Sequence, residues 1–475
     1  MRLYILMGSI LMSILFLGCN KTNETNKTHA FIGGEIINPQ SNYIILTKDE
    51  TTIDTIKLDG RNRFTYKLDH VEEGLYSFHH GGELQMMMLE PLDSLLIRLN
   101  TLEFDESLVF SGEGSKRNNF LINDFLENEK TKQRLYGSCQ LSPEDYLKHI
   151  DSVKTAKLEK LDNFEKKHGA SQTFKDFVKT NAEYSYYSSK EIYPFLHRGK
   201  NKKEILASLP NNYFDYRKKI DYNDEALKDH FLYKSFLRYS FNTAALQEHL
   251  SHSDQDIFGR TSLCYNMDKL KLIDSLVSNP KMKDDLLYYF TINYLTKSQD
   301  IENNEKILNY FLAHSQNENN NDRLKRFNTS VQNLKVGSDF PNIDLVNYNN
   351  DHVKINDVIN QPTVISFWSN NYYNHFRESH FKIKELKQKY PEVHFIMINI
   401  DGLVDTGRSK LALSKNRFGY KNEYHLKYPK TSAETLAVYP MTKSFLVNPN
   451  DKIVNNNTNI FSVRFEDELL GLINQ

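Results

Sequence analysis

Cysteine is scarce in this chain. Its 475 residues include three, Cys19, Cys139 and Cys264. No two stand close in sequence, so there is no CxxC redox pair and no metal-binding knuckle of cysteines. Tryptophan occurs once, at Trp368, and neither sign of charge dominates: 60 basic residues face 61 acidic ones. That balance lacks the basic surplus by which a nucleic-acid binder usually announces itself. Beyond residue 18 no apolar run is long enough to span a bilayer. Apolar and aromatic residues, by contrast, are plentiful: 39% of the chain is hydrophobic, with 29 Phe and 28 Tyr. This is enough to build several cores and excludes global disorder. The length suggests two to four domains.

The N-terminus carries a targeting segment. Arg2 precedes a continuous apolar run, LYILMGSILMSILFLG (3–18), that ends at Gly18-Cys19. A positive start and an apolar stretch of this length mark a signal peptide. The segment resembles a bacterial lipoprotein signal, in which the cysteine becomes the lipidated N-terminus. The usual pattern prefers Leu three positions before the cysteine; here Phe16 stands there and Leu15 lies one further back. The alternative is an N-terminal anchor helix. The polar NKTNETNKT (20–28) then reads as a tether. These features imply attachment to a membrane surface through Cys19, in the cell envelope and facing the periplasm, with inner and outer membrane left open.

Residues 30–115 read as strands. FIGGEII (31–37), NYIILTK (42–48), TIDTIKL (52–58), RFTYKL (63–68), GLYSFHH (74–80), LQMMMLE (84–90) and SLLIRLN (94–100) are separated by turn signals such as Asn38-Pro39 and Asp59-Gly60. Short runs at this spacing predict an antiparallel sandwich or barrel. From 116 to 333 the pattern is helical. In 143–169 Leu147, Ile150, Val153, Leu158, Leu161 and Phe164 recur at helical intervals, between Ser142 as N-cap and Gly169 as stop. Further helices are predicted near 173–190, 226–250, 268–278, 282–297, 303–316 and 324–334, with a polar break at 317–323. The remainder, 334–475, alternates strands (362–368, 392–400, 442–448, 451–457) with helices (373–390, 432–438, 465–474), which indicates an α/β sheet.

Two stretches carry family resemblances. LEPLDSLLIRL followed by FSGEGSKRNNFL (110–121) resembles the N-terminal β-domain of many Bacteroidetes envelope lipoproteins, a domain that commonly precedes a thioredoxin-like one. VGSDFPNIDLVNYNNDHVKINDVINQPTVISFWS (336–369) is similar to the opening of membrane-tethered thioredoxin-like thiol:disulfide reductases of the cytochrome-maturation type. In that family Phe-Trp is followed after three residues by Cys-x-x-Cys at a helix start, with a Glu three residues on. Here Phe367, Trp368 and Glu378 hold their places, but the cysteine positions fall on Tyr372 and His375. A helix N-terminus lowers the pKa of a thiolate, and a second thiol resolves the mixed disulfide; Tyr and His do neither.

The family's second hallmark is a cis-proline loop facing the cysteines. Counting back from Phe445 puts that position at Thr442, two residues after Pro440. Either the cis bond is lost, or the loop has two extra residues and Pro440 serves. A cis bond before Thr costs about 3 kcal/mol, which favours loss. The resemblance therefore implies a multidomain α+β lipoprotein whose last domain keeps a thioredoxin-like frame without redox chemistry. Its role would be binding or scaffolding of envelope proteins or peptides rather than catalysis, with no cofactor. The alternative is a thiol:disulfide oxidoreductase working through an unconventional pair.

Other candidates are weaker. Cys139 and Cys264 are either one structural disulfide or two free thiols. His79-His80 and His249-x-x-His252 invite a metal reading, but no HExxH-type motif accompanies them and none is expected to bind metal.

Overall fold

The computed structural model describes residues 28–474 apart from 50, 102, 200, 254–258 and 404–405. The expected signal segment and Cys19 lie outside the described residues. One compact unit comprises residues up to 78 with 85–126; a second comprises 79–84 with 127–475.

The first unit contains, apart from 79–84 at the end of β5 and start of β6, the strands read from sequence, nearly to the residue. They are β1 (Ala30–Ile37), β2 (Tyr43–Lys48), β3 (Thr51–Lys57), β4 (Arg63–Leu68), β5 (Gly74–His80), β6 (Glu83–Leu89) and β7 (Ser94–Asn100), joined by β8 (Val109–Glu113). They form two four-stranded sheets, β4-β1-β7-β8 and β3-β2-β5-β6. Alternating residues of both, among them Ile32, Leu46, Phe78, Met87 and Leu95, meet in one core, making a sandwich. The expectation of an antiparallel domain is corrected at β1 and β7, which run parallel. Five other strands intervene between them, which supplies the long crossover that parallel pairing requires.

The LEPLD and FSGEGSKRNN stretches meet after a short helix α1 (Phe104–Ser107), at the start of α2 (Ser115–Ser138). Asp93, 3% exposed, accepts from Arg117 Nη2 at 2.5 Å, and Arg117 also pairs with Glu90. Asn118 accepts from the Met88 amide at 2.8 Å and donates to the Met88 carbonyl at 2.9 Å, standing in for a strand partner. At Gly112, φ +89, an added Cβ would lie 2.0 Å from the Ser94 carbonyl oxygen, so only glycine fits.

The second unit begins with helices: α3 (Pro143–His168), α4 (Gln172–Leu196), α5 (Lys202–Ala207), α6 (Phe231–His252), α7 (Leu263–Leu276), α8 (Pro280–Lys297), α9 (Ile301–His314) and α10 (Glu318–Asn333). Ser142 caps α3 by accepting from the Asp145 amide, and Gly169 with φ +71 ends it, as the sequence indicates. The polar 317–323 stretch is not a break. Asn317 caps α10 by accepting from the Asn320 amide at 3.1 Å, and the Asn-rich residues form its first turns. Their polarity suits the exposed side of a helix that is anchored by the buried Leu324.

The same unit ends in a seven-stranded sheet. Its strands are β9 (Asp344–Asn347), β10 (His352–Lys354), β11 (Thr363–Trp368), β12 (His394–Asn399), β13 (Glu423–Leu426), β14 (Ser444–Val447) and β15 (Ile453–Thr458), in the order β10-β9-β13-β12-β11-β14-β15. β11, β12 and β13 are parallel, and β14 is antiparallel to β11. The helices are α11 (Tyr373–Lys389), α12 (Thr406–Lys415), α13 (Pro429–Thr435) and α14 (Phe465–Ile473). Every residue of β11 is buried. Val364 and Trp368 pack with Phe376 and Leu386 of α11 and Phe465 of α14 on one face. Ile365 and Phe367 pack with Phe340, Ile398 and Leu436 on the other. A strand covered on both faces has no polar alternation, which is why PTVISFW reads as a mostly apolar run; its one serine, Ser366, is buried and bonded to the Ser444 hydroxyl at 2.8 Å. No helix among the described residues is long and apolar enough to cross a membrane.

Candidate functional site

The ISFWSNNYYNHFRES stretch lies at the C-terminal end of the central strand. After Trp368 the turn Ser369-Asn370-Asn371 leads into α11. Asp401, just past β12, holds this turn. It accepts from the Ser369 hydroxyl and the Asn370 amide, both at 2.5 Å, and from Asn399 Nδ2 at 3.2 Å. From α12, Ser409 accepts from Asn370 Nδ2 at 2.9 Å and Arg408 donates to the Asn370 carbonyl at 3.3 Å. A polar loop pinned from two elements positions the head of α11 rigidly.

Tyr372 is the N-cap residue of α11. Its carbonyl accepts from the Phe376 amide at 2.8 Å, but its side chain makes no cap bond and is 57% exposed. His375 turns inward: it is half-buried, with its ring edge-on to Phe461 at 6.1 Å. Burial, aided by the nearby His380, holds its pKa below the ordinary value, so the neutral imidazole is favoured. The helix start is not vacant. The Glu83 carboxylate, in the 79–84 segment of this unit, accepts from the Asn374 backbone amide. At Gly82 an added Cβ would lie 2.2 Å from the Asn371 carbonyl oxygen. A carboxylate from the chain itself therefore meets the positive end of the helix. Below the loop, Trp368 Nε1 donates to Glu423 Oε2 at 3.2 Å, and His380 Nε2 lies 3.3 Å from Glu423 Oε1, all buried.

The Tyr439–Pro440 peptide is cis. The chain thus keeps a cis-proline bond two residues before Thr442, where the sequence favoured its loss. Lys443 closes this loop from inside. Its Nζ donates to the Leu436 and Ala437 carbonyls at 3.1 and 3.0 Å, and burial pushes its pKa down to about 7. Tyr439 lines a cavity of about 260 Å³ with Arg238 of α6 and Met282, Tyr288, Tyr289 and Ile292 of α8. Arg238 lies over the Tyr289 ring at 4.1 Å. This aromatic recess beside the proline loop was not legible in sequence, because its residues come from segments some 150 to 200 positions apart.

The two described cysteines, Cys139 and Cys264, take no part. Both are free, so the disulfide alternative is not realised. Cys139 is buried among Tyr146, Tyr193 and Tyr213, and burial pushes its thiol up to about 11. Cys264 is exposed at the start of α7. Each therefore sits on a different helical segment, and neither is on the α/β sheet or its helices. A tyrosine and a neutral histidine at the head of α11 offer hydrogen bonds and aromatic contact, but no exchangeable thiol.

No family model matches the chain, and no curated protein does. Solved structures resemble part of it. A thiol:disulfide interchange protein from Bacteroides sp. is 16% identical, covering 30% of this chain and 93% of that one, with a TM-score of 0.26. The thioredoxin domain of a thiol-disulfide oxidoreductase from Bacteroides vulgatus is 17% identical, covering 30% and 96%, with a TM-score of 0.24. A thioredoxin-like protein from Porphyromonas gingivalis is 21% identical, covering 28% and 89%, also with a TM-score of 0.24.

Proposed function

We propose that the chain is an envelope lipoprotein, anchored through Cys19, whose α/β domain is a thioredoxin-like frame without thiol chemistry that binds extended envelope peptides or proteins. One observation carries the reading. The positions expected to hold cysteines carry Tyr372 and His375, while the chain has a cis bond at Tyr439–Pro440 and Tyr439 lines an aromatic cavity. An exposed tyrosine, a fixed loop and an adjoining recess suit peptide capture, in which backbone hydrogen bonds give affinity and pockets give selectivity. Fold likeness alone assigns no activity.

The test uses the full chain immobilised and exposed to envelope extract, with a Tyr439→Ala variant beside it. Selective retention of extended peptides that weakens about tenfold in the variant supports the reading. No retention from any extract overturns it, as does insulin reduction that depends on Cys139 or Cys264. The frame itself is probed by the double variant Tyr372→Cys, His375→Cys. It should gain disulfide-reductase activity from a baseline near zero, because a thiol at the head of α11 would meet the helix amides. A double variant as inert as the parent would mean that the frame no longer supports exchange.

A further inference from the structure

Away from this site, the last turn of α6 and the first turns of α7 bring four donors together. His249 and His252 stand three apart on one face of α6. Cys264 and Asp268 stand four apart on one face of α7. The four ligand atoms lie within 4.8 Å of one another. Asp268 Oδ2 is the hub: His252 Nε2 is 3.0 Å away, Cys264 Sγ 3.7 Å and His249 Nδ1 3.8 Å. Cys264 Sγ and His252 Nδ1 are 4.0 Å apart.

The geometry points to a site for one divalent transition-metal ion of the zinc class, ligated by His249, His252, Cys264 and Asp268 and clamping the end of α6 to the start of α7. Three observations support it. His249 is 6% exposed, and its Nδ1 has no hydrogen-bond partner. A buried ring nitrogen aimed at a carboxylate but too far away to bond is an unmet coordination demand. Next, metal–ligand bonds of 2.0 to 2.3 Å place the corners of a tetrahedron roughly 3.2 to 3.8 Å apart; the three separations from Asp268 Oδ2, 3.0 to 3.8 Å, lie in or near that range, and no pair of donors exceeds 4.8 Å, so small side-chain rotations close the set. Finally, two imidazoles, a thiolate and a carboxylate select a borderline-soft ion over calcium or magnesium, and the two anionic donors neutralise its charge. The partly exposed His252 and Cys264 leave the ion a path from solvent.

The competing arrangement is an activated thiol, since Cys264 and Asp268 both lie beside His252. The same Asp268 oxygen, however, is also close to the thiol, which opposes a thiolate in the absence of a cation. A nucleophile would also leave His249 unused. The histidine spacing alone shows two of the four donors; α7 supplies the others.

The test uses the reduced full chain, without a histidine tag, titrated with Zn(II) and with Co(II). One equivalent should bind. Cobalt should give tetrahedral ligand-field bands and a thiolate-to-cobalt charge-transfer band. Cys264→Ser should abolish the charge-transfer band, and Cys264→Ser and His252→Ala should each weaken binding at least tenfold. Both positions are exposed enough to keep the fold, which circular dichroism checks, and Cys139→Ala should keep the band. Zinc should slow alkylation of Cys264 by iodoacetamide at least tenfold. The site is overturned by substoichiometric binding, by an octahedral cobalt spectrum without charge transfer, or by binding undiminished in Cys264→Ser. Rapid alkylation of Cys264 indifferent to zinc also overturns it, in favour of the nucleophile.

Discussion

His425 shows how one buried side chain ties this molecule to pH. It lies on β13 with no exposed surface, its ring 4.7 Å from that of Tyr348, and neither ring nitrogen has a hydrogen-bond partner. Burial pushes its pKa down from 6.5 to about 4. Above pH 6.5 the imidazole is neutral whether the chain is folded or not, and it costs nothing in protonation. Between pH 6.5 and about 4 the unfolded chain takes up a proton that the folded one refuses, so stability falls as pH falls. The full effect is at most about 3 kcal/mol. His425→Phe should retain the ring contact with Tyr348 and flatten the loss of denaturation free energy between pH 6.5 and 4. An unchanged slope in the variant would show that other groups set the acid limit.

At the level of the element, sequence signals worked where caps and periodicity agreed. Ser142 opens α3 by accepting from the Asp145 amide at 3.3 Å. Ser142→Ala should cost about 1 kcal/mol of stability, read as a lower urea midpoint with an unchanged slope. The strands of the sandwich were legible because each is a short run rich in β-branched, aromatic or other apolar residues, separated from the next by turn residues. β13 was not, since four residues, Glu-Tyr-His-Leu, all buried, carry neither alternation nor length. α12 escaped notice because TGRSKLALSK has a glycine and only three apolar residues. At the head of α11 the sequence located Tyr372 and His375, but could not show that one faces solvent and the other turns in towards Phe461. It also gave no sign that Glu83, some 290 residues earlier, meets the Asn374 amide. Such contacts depend on tertiary placement, which no local pattern encodes.

At the scale of the whole molecule, the helices and the α/β sheet belong to one compact unit, although the change from helical to alternating pattern near 333 suggests a domain boundary. The join is polar. Asn456 of β15, 5% exposed, donates to the Leu334 carbonyl at 2.7 Å and to Gln299 Oε1 at 3.1 Å, and accepts from Gln299 Nε2 at 2.8 Å. Asn457 donates to the Thr296 carbonyl at 2.7 Å. Each such bond is worth about 1 kcal/mol net, and a buried partner left unpaired costs more. Asn456→Ala removes three of them and strands a buried carbonyl, so a loss of roughly 2 to 4 kcal/mol is expected. Because the helices and the sheet share this join, the loss should lower one calorimetric transition that contains both, while the transition of the sandwich stays where it was. Two transitions within 127–475, with only the sheet's shifted by the variant, would show that the two parts unfold independently and that the break in pattern near 333 is a thermodynamic boundary after all.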